Sequence, residues 1–416
     1  MNLRLTKIPV IKAIPKELNF LTLLLFITAN IPFLKVGPVS LSFFIGVLIL
    51  VLASMHGYIV VNKVYKPLIY FTILSVLALI FSPVVISETS LFVMLQVVYW
   101  FLLAALFWNI GHQISYKSIS LIVISIEILF VAIFLQLGEI NPYLSENLSS
   151  FIIVTLWPFS IFYTNKSVWK ALAALLAVVS LFFIGSRTGI IVVFLQFATI
   201  YIVRHMSGIR KVTLIVSVLI FAFLISVQPV RSTIAKAIEP ASPDIAFLIE
   251  NPDLVFMMDK SWAQRRIQQE KCKQAFERNP VIGIGPLNII SYNFTINTSN
   301  LTDIDGSVLK FEMRNSEKRS AHNAYYQLIA ENGAIGALLM ALFLLYLLRG
   351  LYNRSLLSDS HLIFFISLVG MVLNLFMVSA LWGTNTWLLF GMYASVINSS
   401  PKVIENIKYS NNSKIN

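Results

Sequence analysis

Apolar residues recur along this chain in long runs that are separated by short polar stretches. A helix of about 20 apolar residues crosses a bilayer, and most of these runs approach that length. The pattern therefore predicts twelve membrane-spanning helices, each placed to within a few residues. They lie near residues 18–35, 38–54, 67–87, 91–109, 119–138, 149–164, 168–185, 188–203, 212–228, 326–348, 361–381 and 384–398.

Residues 229–325 form the one long polar stretch in this pattern. They separate nine predicted spans from the last three. The sequence then divides into a transmembrane bundle over residues 1–228, a loop domain over 229–325, C-terminal transmembrane helices over 326–398 and a tail over 399–416. We predict an all-α polytopic membrane protein with about 12 transmembrane helices and one large loop domain.

The positions of the cations predict which side of the membrane each loop occupies. If the N-terminus is inside, the inside segments hold most of the loop cations, and the short outside loops hold only Lys35 and Arg187. This asymmetry follows the positive-inside rule, and long segments cross the membrane regardless of their charge. The loop domain is therefore expected outside, with both termini in the cytoplasm.

The composition agrees with a membrane protein and excludes other classes. The hydrophobic fraction is 57%, the charged fraction is 12% and the mean hydropathy is +0.81, whereas a soluble domain carries about 25% charged residues. The net charge of +12 does not indicate nucleic-acid binding, because the cations lie mostly at helix ends, where they set orientation. The single cysteine, Cys272, excludes an internal disulfide. The N-terminal cations are expected to form a cytoplasmic lead-in rather than a cleaved signal peptide.

Two helix starts are predicted within and after the loop domain. Ser261-Trp262-Ala263-Gln264 is a capping-box pattern. The helix that begins there should end before Asn279-Pro280, because a residue that precedes a proline resists the helical conformation. Ser320 is expected to cap the tenth span, which would put His322 in its first turn. The unpaired N–H groups and the dipole of such a helix start favour a bound anion.

Three arginines are candidates for binding that anion. Arg187 lies between Gly185 and Gly189. Its guanidinium would either hold phosphate oxygens through a fork of hydrogen bonds or snorkel to lipid headgroups. The cation-poor side on which it lies favours the first. Arg265 and Arg266 lie near a helix start, where cations oppose the dipole, and their alternative is a solvated face. Adjacent helical residues point about 100° apart, so one of the pair is expected to face the site.

His322 is the candidate general base, because imidazole titrates near neutrality, and a structural histidine is the alternative. The acidic residues of the loop domain show no metal-ligand spacing, so neither a metal nor another cofactor is predicted. Glu127 is the clearest ionisable residue within a predicted span. A coupled transporter usually needs several such groups, so this pattern argues against one.

Three stretches together resemble one known family. The first is Gly185-Ser186-Arg187-Thr188-Gly189, and the second runs from Arg265 through Asn279-Pro280 to Gly283-Ile284-Gly285-Pro286. The third is His322-Asn323-Ala324-Tyr325-Tyr326-Gln327-Leu328 followed by Glu331-Asn332-Gly333-Ala334-Ile335-Gly336. With the span layout and the single large loop, they resemble the bacterial O-antigen ligase and O-antigen polymerase superfamily of integral membrane glycosyltransferases. The resemblance covers most of the chain.

The resemblance implies a multi-pass protein of the bacterial inner membrane that performs inverting glycosyl transfer at the periplasmic face. The donor would be a glycan on undecaprenyl pyrophosphate. Arg187 and Arg265 would hold the pyrophosphate, with Arg266 as a rival for the second role. His322 would deprotonate the acceptor hydroxyl, and neither a metal nor a nucleotide would take part.

The acceptor separates the functions that this resemblance allows. A ligase transfers the glycan to the lipid A core, and a polymerase transfers it to a second lipid-linked glycan. One large loop late in the chain favours the ligase, since polymerases often carry a second sizeable outer loop. A lipid-linked sugar flippase or other transporter would predict charged residues that line the spans, and a non-catalytic scaffold would tolerate the loss of His322.

Overall fold

The computed structural model describes residues 14–31, 33–36, 39–60, 66–82, 89–137, 146–163, 166–206, 208, 228–240, 243–251, 260–295 and 322–399. A short antiparallel ladder, β1 Lys35–Val36 and β2 Val39–Ser40, lies between the first two helices. The helices within these residues are α1 Lys16–Ala29, α2 Leu41–Met55, α3 Lys66–Ile80, α4 Thr89–Ile110, α5 Tyr116–Leu137, α6 Glu146–Ser160, α7 Ser167–Ile184, α8 Arg187–His205, α9 Gln228–Ile238, α10 Pro243–Glu250, α11 Lys260–Arg278, α12 Ala324–Ser355, α13 Asp359–Asn374 and α14 Thr384–Asn398.

Helices occur at eleven of the twelve predicted spans, and residues 212–227 of the remaining span lie outside the described residues. By length and composition, five described helices are able to cross a membrane: Leu91–Gln113, Tyr116–Gln136, Ser167–Ile184, Arg187–His205 and Ala324–Ser355. Helices α2, α3 and α13 are apolar but shorter. The all-α membrane class is therefore confirmed, while the number of spans and the outer position of the loop domain stay predictions.

Helices α8 and α13 pack side by side and run antiparallel. At one end Arg204 forms an ion pair with Asp359. Near the middle, Gln196 Nε2 donates to the backbone oxygen of Ile366 at 2.8 Å. Because the two helices keep this alignment, Arg187 at the start of α8 lies level with Asn374 at the end of α13.

A proline within α6 creates an unpaired carbonyl that α8 satisfies. Pro158 has no N–H, so the oxygen of Val154, four residues earlier, lacks its helical partner. Gln196 Nε2 donates to that oxygen at 3.0 Å, and Trp157 Nε1 donates to Gln196 Oε1 at 2.7 Å. Backbone groups without water must find protein partners. Gln196 therefore joins α6, α8 and α13 inside the bundle.

Helix α11 packs against α12 over a small apolar cluster that includes Cys272, Ala275 and Ala330. The described helix already includes Lys260, so Ser261 lies within it. The capping-box interpretation is therefore wrong, because an N-cap residue precedes the first helical residue. The predicted end is confirmed, since α11 stops at Arg278.

Helix α12 is broken at Gly333, where φ is 63° and ψ is −171°. A break of this kind frees backbone groups on either side, and the segment 280–285 pairs with them. Four backbone hydrogen bonds, donor first, join 280–285 to 330–335: Ala334 to Pro280 (2.8 Å), Ile335 to Val281 (3.3 Å), Ile284 to Ala330 (3.0 Å) and Gly285 to Glu331 (2.8 Å). We call this arrangement the interlock. It fixes the chain that follows α11 onto α12.

Two glycines allow the interlock to form. A Cβ at Gly333 would lie 2.4 Å from the backbone carbonyl of Val281, and a Cβ at Gly283 would lie 2.3 Å from that of Glu331. Both glycines also have a positive φ, which side chains with a Cβ rarely adopt. The glycines of two separate sequence motifs therefore serve one backbone contact.

Candidate active site

The Arg187 turn connects α7 to α8 and presents a guanidinium at a helix start. Gly185 ends α7 with φ at 76°, and the Ser186 side chain caps α8 by accepting from the Gly189 N–H at 3.1 Å. Arg187 is the first helical residue and is exposed. A Cβ at Gly189 would lie 2.4 Å from Ser150 Oγ, so the start of α8 packs directly on α6. Free N–H groups and the helix dipole favour an anion beside this arginine.

His322 lies two residues before α12, and the helix is capped by Asn323. The side-chain oxygen of Asn323 accepts from the N–H groups of Tyr325 at 2.9 Å and Tyr326 at 3.1 Å. The expectation that Ser320 caps this helix, with His322 in its first turn, is therefore wrong. Ser320 itself lies outside the described residues. His322 has φ at 51°, a left-handed conformation in which histidine is enriched.

One loop contacts both α11 and residues 322–324, which we call the His322 segment. Residues 375–383, between α13 and α14, form what we call the 375–383 loop. The backbone oxygen of Leu375 accepts from the Ala324 N–H at 2.9 Å, which fixes the chain just after His322. Met377 Sδ accepts from Arg265 Nη1 at 3.4 Å. Arg265 and Ala324, two residues after His322, thus contact the same short loop.

The Arg187 turn adjoins this region through α6. Asn374 Nδ2, at the end of α13, donates to Ser150 Oγ at 3.4 Å, and Ser150 is the residue against which Gly189 packs. Arg187 also lies level with Asn374. Three candidate site residues therefore lie around one end of α13, opposite to the end that carries the Arg204 ion pair.

Arg266 differs from Arg265 in its contacts. Arg266 Nη1 donates to Gln269 Oε1 of the same helix at 3.4 Å, whereas Arg265 reaches across to Met377. Both side chains are partly exposed. The observed contacts thus connect Arg265 to the 375–383 loop, and the assignment of either arginine to an anion stays a prediction.

Sequence reasoning missed Glu331, which is fully buried. Its carboxylate accepts from Trp382 Nε1 at 2.6 Å, Gln327 Nε2 at 3.0 Å and the Ile289 N–H at 3.4 Å. The available signal was a glutamate inside an apolar helix, since such a residue must find buried partners. Glu127 is buried as expected, but it is not alone in being a buried carboxylate.

Metal-ligating side chains are not grouped in the part of the chain that the structure describes. No three or more His, Cys, Asp or Glu residues there lie close enough to hold a metal ion. Cys272 is buried, and burial, with the nearby charge of Glu331 adding to it, raises the pKa of its thiol above the ordinary value. A reaction without a metal or other cofactor stays a prediction.

The fold and this arrangement define a polytopic helical membrane protein that carries guanidinium and imidazole groups at one end of its bundle. Residues 172–341 match the family model described as O-antigen ligase. This range contains all four candidate residues and the whole interlock. The match supports the predicted O-antigen ligase superfamily for this part of the chain, and that family implies a glycosyltransferase-like enzyme with lipid-linked glycan substrates. A comparison with curated proteins found no match.

Proposed function

We propose that this protein transfers a glycan from undecaprenyl pyrophosphate to the lipid A core at the periplasmic face of the bacterial inner membrane, which is O-antigen ligation in lipopolysaccharide biosynthesis. The observation that supports the proposal is a set of contacts that connects the Arg187 turn, Arg265 and the His322 segment to residues 374–377 at the end of α13. The O-antigen ligase match over residues 172–341 supports it.

The chemistry of these side chains suits displacement of a pyrophosphate. The acceptor oxygen forms a bond to the anomeric carbon while its proton passes to His322 as general base. The bond from that carbon to the pyrophosphate oxygen breaks, and the pyrophosphate leaves with the electron pair. Arg187 and Arg265 stabilise the negative charge that grows on it. Attack from the side opposite the leaving group inverts the configuration.

The outer position of the site follows from the distribution of cations. The end of α13 that carries the candidate residues is opposite to Arg204 and Asp359, and Arg204 belongs to a cation-rich loop in the sequence. Because cation-rich loops stay in the cytoplasm, the candidate residues would face the periplasm, where the donor is presented.

A gel of cell-envelope polysaccharide from a deletion strain tests the function. If the protein is a ligase, every core-attached chain disappears and lipid-linked glycan accumulates. If core molecules carry a single repeat unit, the protein is a polymerase and the proposed acceptor is wrong. An unchanged gel would contradict both functions.

The role of His322 is tested by the His322→Asn variant. Asparagine also adopts the left-handed conformation without large strain, so the backbone before α12 is kept while the base is lost. Loss of a general base lowers the rate by about 10²- to 10⁴-fold. A His322→Asn enzyme with normal membrane levels and full transfer activity would refute the assignment of the base.

Metal independence is tested with a chelator. We expect transfer by the purified protein to be unchanged in excess EDTA, since the arginines take the charge-stabilising role that metal ions often have elsewhere. Loss of activity with EDTA, followed by recovery when a divalent cation is added, would show that this expectation is wrong.

A further inference from the structure

We propose that the hydrogen bond from Trp382 to Glu331 is a positioning contact, which holds the 375–383 loop where it brings Arg265 and His322 to one site. This inference rests on the proposed function. Neither residue is expected to touch the substrate. Their effect would reach the reaction through the loop.

Three contacts attach the 375–383 loop to its surroundings. One is at its first residue, one is two residues later and one is near its end. At the start, the oxygen of Leu375 holds the Ala324 N–H, next to the His322 segment. Two residues later, Met377 Sδ holds the Arg265 guanidinium. At the other end, Trp382 Nε1 donates to the Glu331 carboxylate at 2.6 Å. The first two attachments reach the candidate site residues, and the third anchors the loop to α12.

The Trp382 ring is held by stacking as well as by its N–H group. It stacks on Trp100 with ring centroids 5.6 Å apart and on Phe71 with centroids 5.8 Å apart, and it also stacks on Trp387 at 6.0 Å. An aromatic ring at this position therefore keeps its packing without a hydrogen bond. The hydrogen bond from the N–H group also fixes the orientation of the Trp382 ring, and so the position of its backbone, relative to Glu331.

Glu331 connects this anchor to the interlock. Its backbone oxygen accepts from Gly285 within the interlock, and its side chain accepts from the Ile289 N–H, which also follows α11. The chain that follows α11 is thus fixed to Glu331, and the N-terminal part of α11 is fixed to the loop through Arg265. Glu331, Trp382, the loop and α11 form a closed circuit of contacts.

A closed circuit of this kind sets the separation between groups that lie far apart in the sequence. If the Trp382 N–H is removed, the loop keeps its contacts with Arg265 and with Ala324 at the start of α12, but its far end loses the hydrogen bond to Glu331 beside the Gly333 break. A shift of about 1 Å in the relative position of reacting groups lowers a rate by up to about 100-fold. The anchor is therefore expected to act on the rate of transfer more than on folding.

The test uses the Trp382→Phe variant of the full-length protein, which removes the N–H donor and keeps an aromatic ring. Trp157→Phe is the matched control, because it also removes a buried indole donor, from Gln196 at 2.7 Å, but inside the bundle and away from the loop. Both proteins are purified, their folded fractions are measured, and kcat and KM for the lipid-linked donor are determined per folded protein.

We expect Trp382→Phe to lower kcat by about 10- to 100-fold, whereas Trp157→Phe lowers thermal stability and leaves kcat per folded protein at the wild-type value. A Trp382→Phe protein with wild-type kcat would overturn the inference. So would a loss of kcat that Trp157→Phe shares. If the wild-type protein itself performs no transfer, the proposed function fails.

A second variant keeps the test informative if Trp382→Phe fails to fold. Met377→Leu conserves side-chain volume, which cores tolerate well, but removes the sulfur that accepts from Arg265. It should also lower kcat. Because both changes act through one loop, the double variant should lose less than the product of the two single losses. Fully multiplicative losses, or an unchanged Met377→Leu enzyme, would count against the loop as the positioning element.

Discussion

Arg265 and Arg266 are adjacent and carry the same charge, but their side chains contact different parts of the protein. Arg265 extends to Met377 in the 375–383 loop, and Arg266 contacts Gln269 of its own helix. The loop that Arg265 contacts also accepts a hydrogen bond from Ala324, two residues after His322. The pair offers its own experimental control, since removal of either arginine changes the net charge of the protein by the same amount.

Arg265→Ala is expected to lower glycan transfer by about 10²- to 10³-fold, the range for the loss of one group that stabilises transition-state charge. Arg266→Ala is expected to stay within a few-fold of the wild-type rate. The measurement is core-attached polysaccharide in complemented deletion cells, normalised to membrane protein level. Equal losses in the two variants would show that the observed contacts do not identify the functional arginine.

The identities of these residues could be predicted from sequence, but their contacts could not. An arginine between two glycines and a histidine at the edge of a polar segment are local patterns. Met377, Trp382 and Glu331 belong to apolar stretches, and they acquire a role only when segments distant in the chain come together. Asn323 shows the same limit, because its cap on α12 displaced the one predicted at Ser320.

The interlock is the main feature at the scale of elements. It replaces the hydrogen bonds that α12 loses at Gly333 with bonds to residues 280–285. The apolar runs were enough to place most helices, because length and hydropathy are local properties. The break in α12 could not be predicted from this pattern, because the apolar residues continue across Gly333. The segment that pairs with the break lies some fifty residues earlier in the chain.

Gly333→Ala is expected to destabilise the protein more than Gly57→Ala. Both glycines have a positive φ, which residues with a Cβ rarely adopt, and Gly333 with ψ at −171° lies in a region that is essentially confined to glycine. Nothing lies within 4 Å of a Cβ at Gly57, whereas one at Gly333 meets the Val281 carbonyl at 2.4 Å. Separation of the two backbones would also weaken hydrogen bonds worth about 1 kcal/mol each.

The measurement for this pair is thermal unfolding of the purified proteins in detergent. We expect a clearly lower midpoint for Gly333→Ala than for Gly57→Ala, together with faster proteolysis between α11 and α12. Equal midpoints would mean that the backbones separate at no cost and that the interlock does not stabilise the fold.

At the scale of the whole molecule, three helices orient the site. Helices α8, α12 and α13 place Arg187, the His322 segment and Asn374 at one end, while Arg204 and Asp359 mark the other. The sequence predicted this common side from charge asymmetry alone, since the positive-inside rule acts on every loop. Which side faces the periplasm is a separate prediction that accessibility can test.

Cysteine labelling in intact cells tests the orientation. Glu277→Cys lies on α11, and Leu357→Cys lies between α12 and α13 at the Arg204 end; both positions are exposed. A membrane-impermeant maleimide, given access to the periplasm, should label the first and leave the second unlabelled. Cys272 should not interfere, because it is buried and its thiol pKa is raised. The reverse labelling pattern would invert the topology.

The length of α12 bears on how the lipid-linked donor and the acceptor sugar of the proposed reaction would meet. The part of α12 from Ala334 to Ser355 extends for about 33 Å, whereas the hydrocarbon core of a bilayer is about 30 Å thick. The part beyond Gly333 is long enough to cross that core by itself. In the predicted topology, the turns before Gly333 would therefore lie beyond the lipid tails, and His322 would lie next to the first of them. In the proposed reaction, the acceptor sugar would reach the imidazole from the periplasmic side while the polyprenyl chain of the donor stays in the membrane.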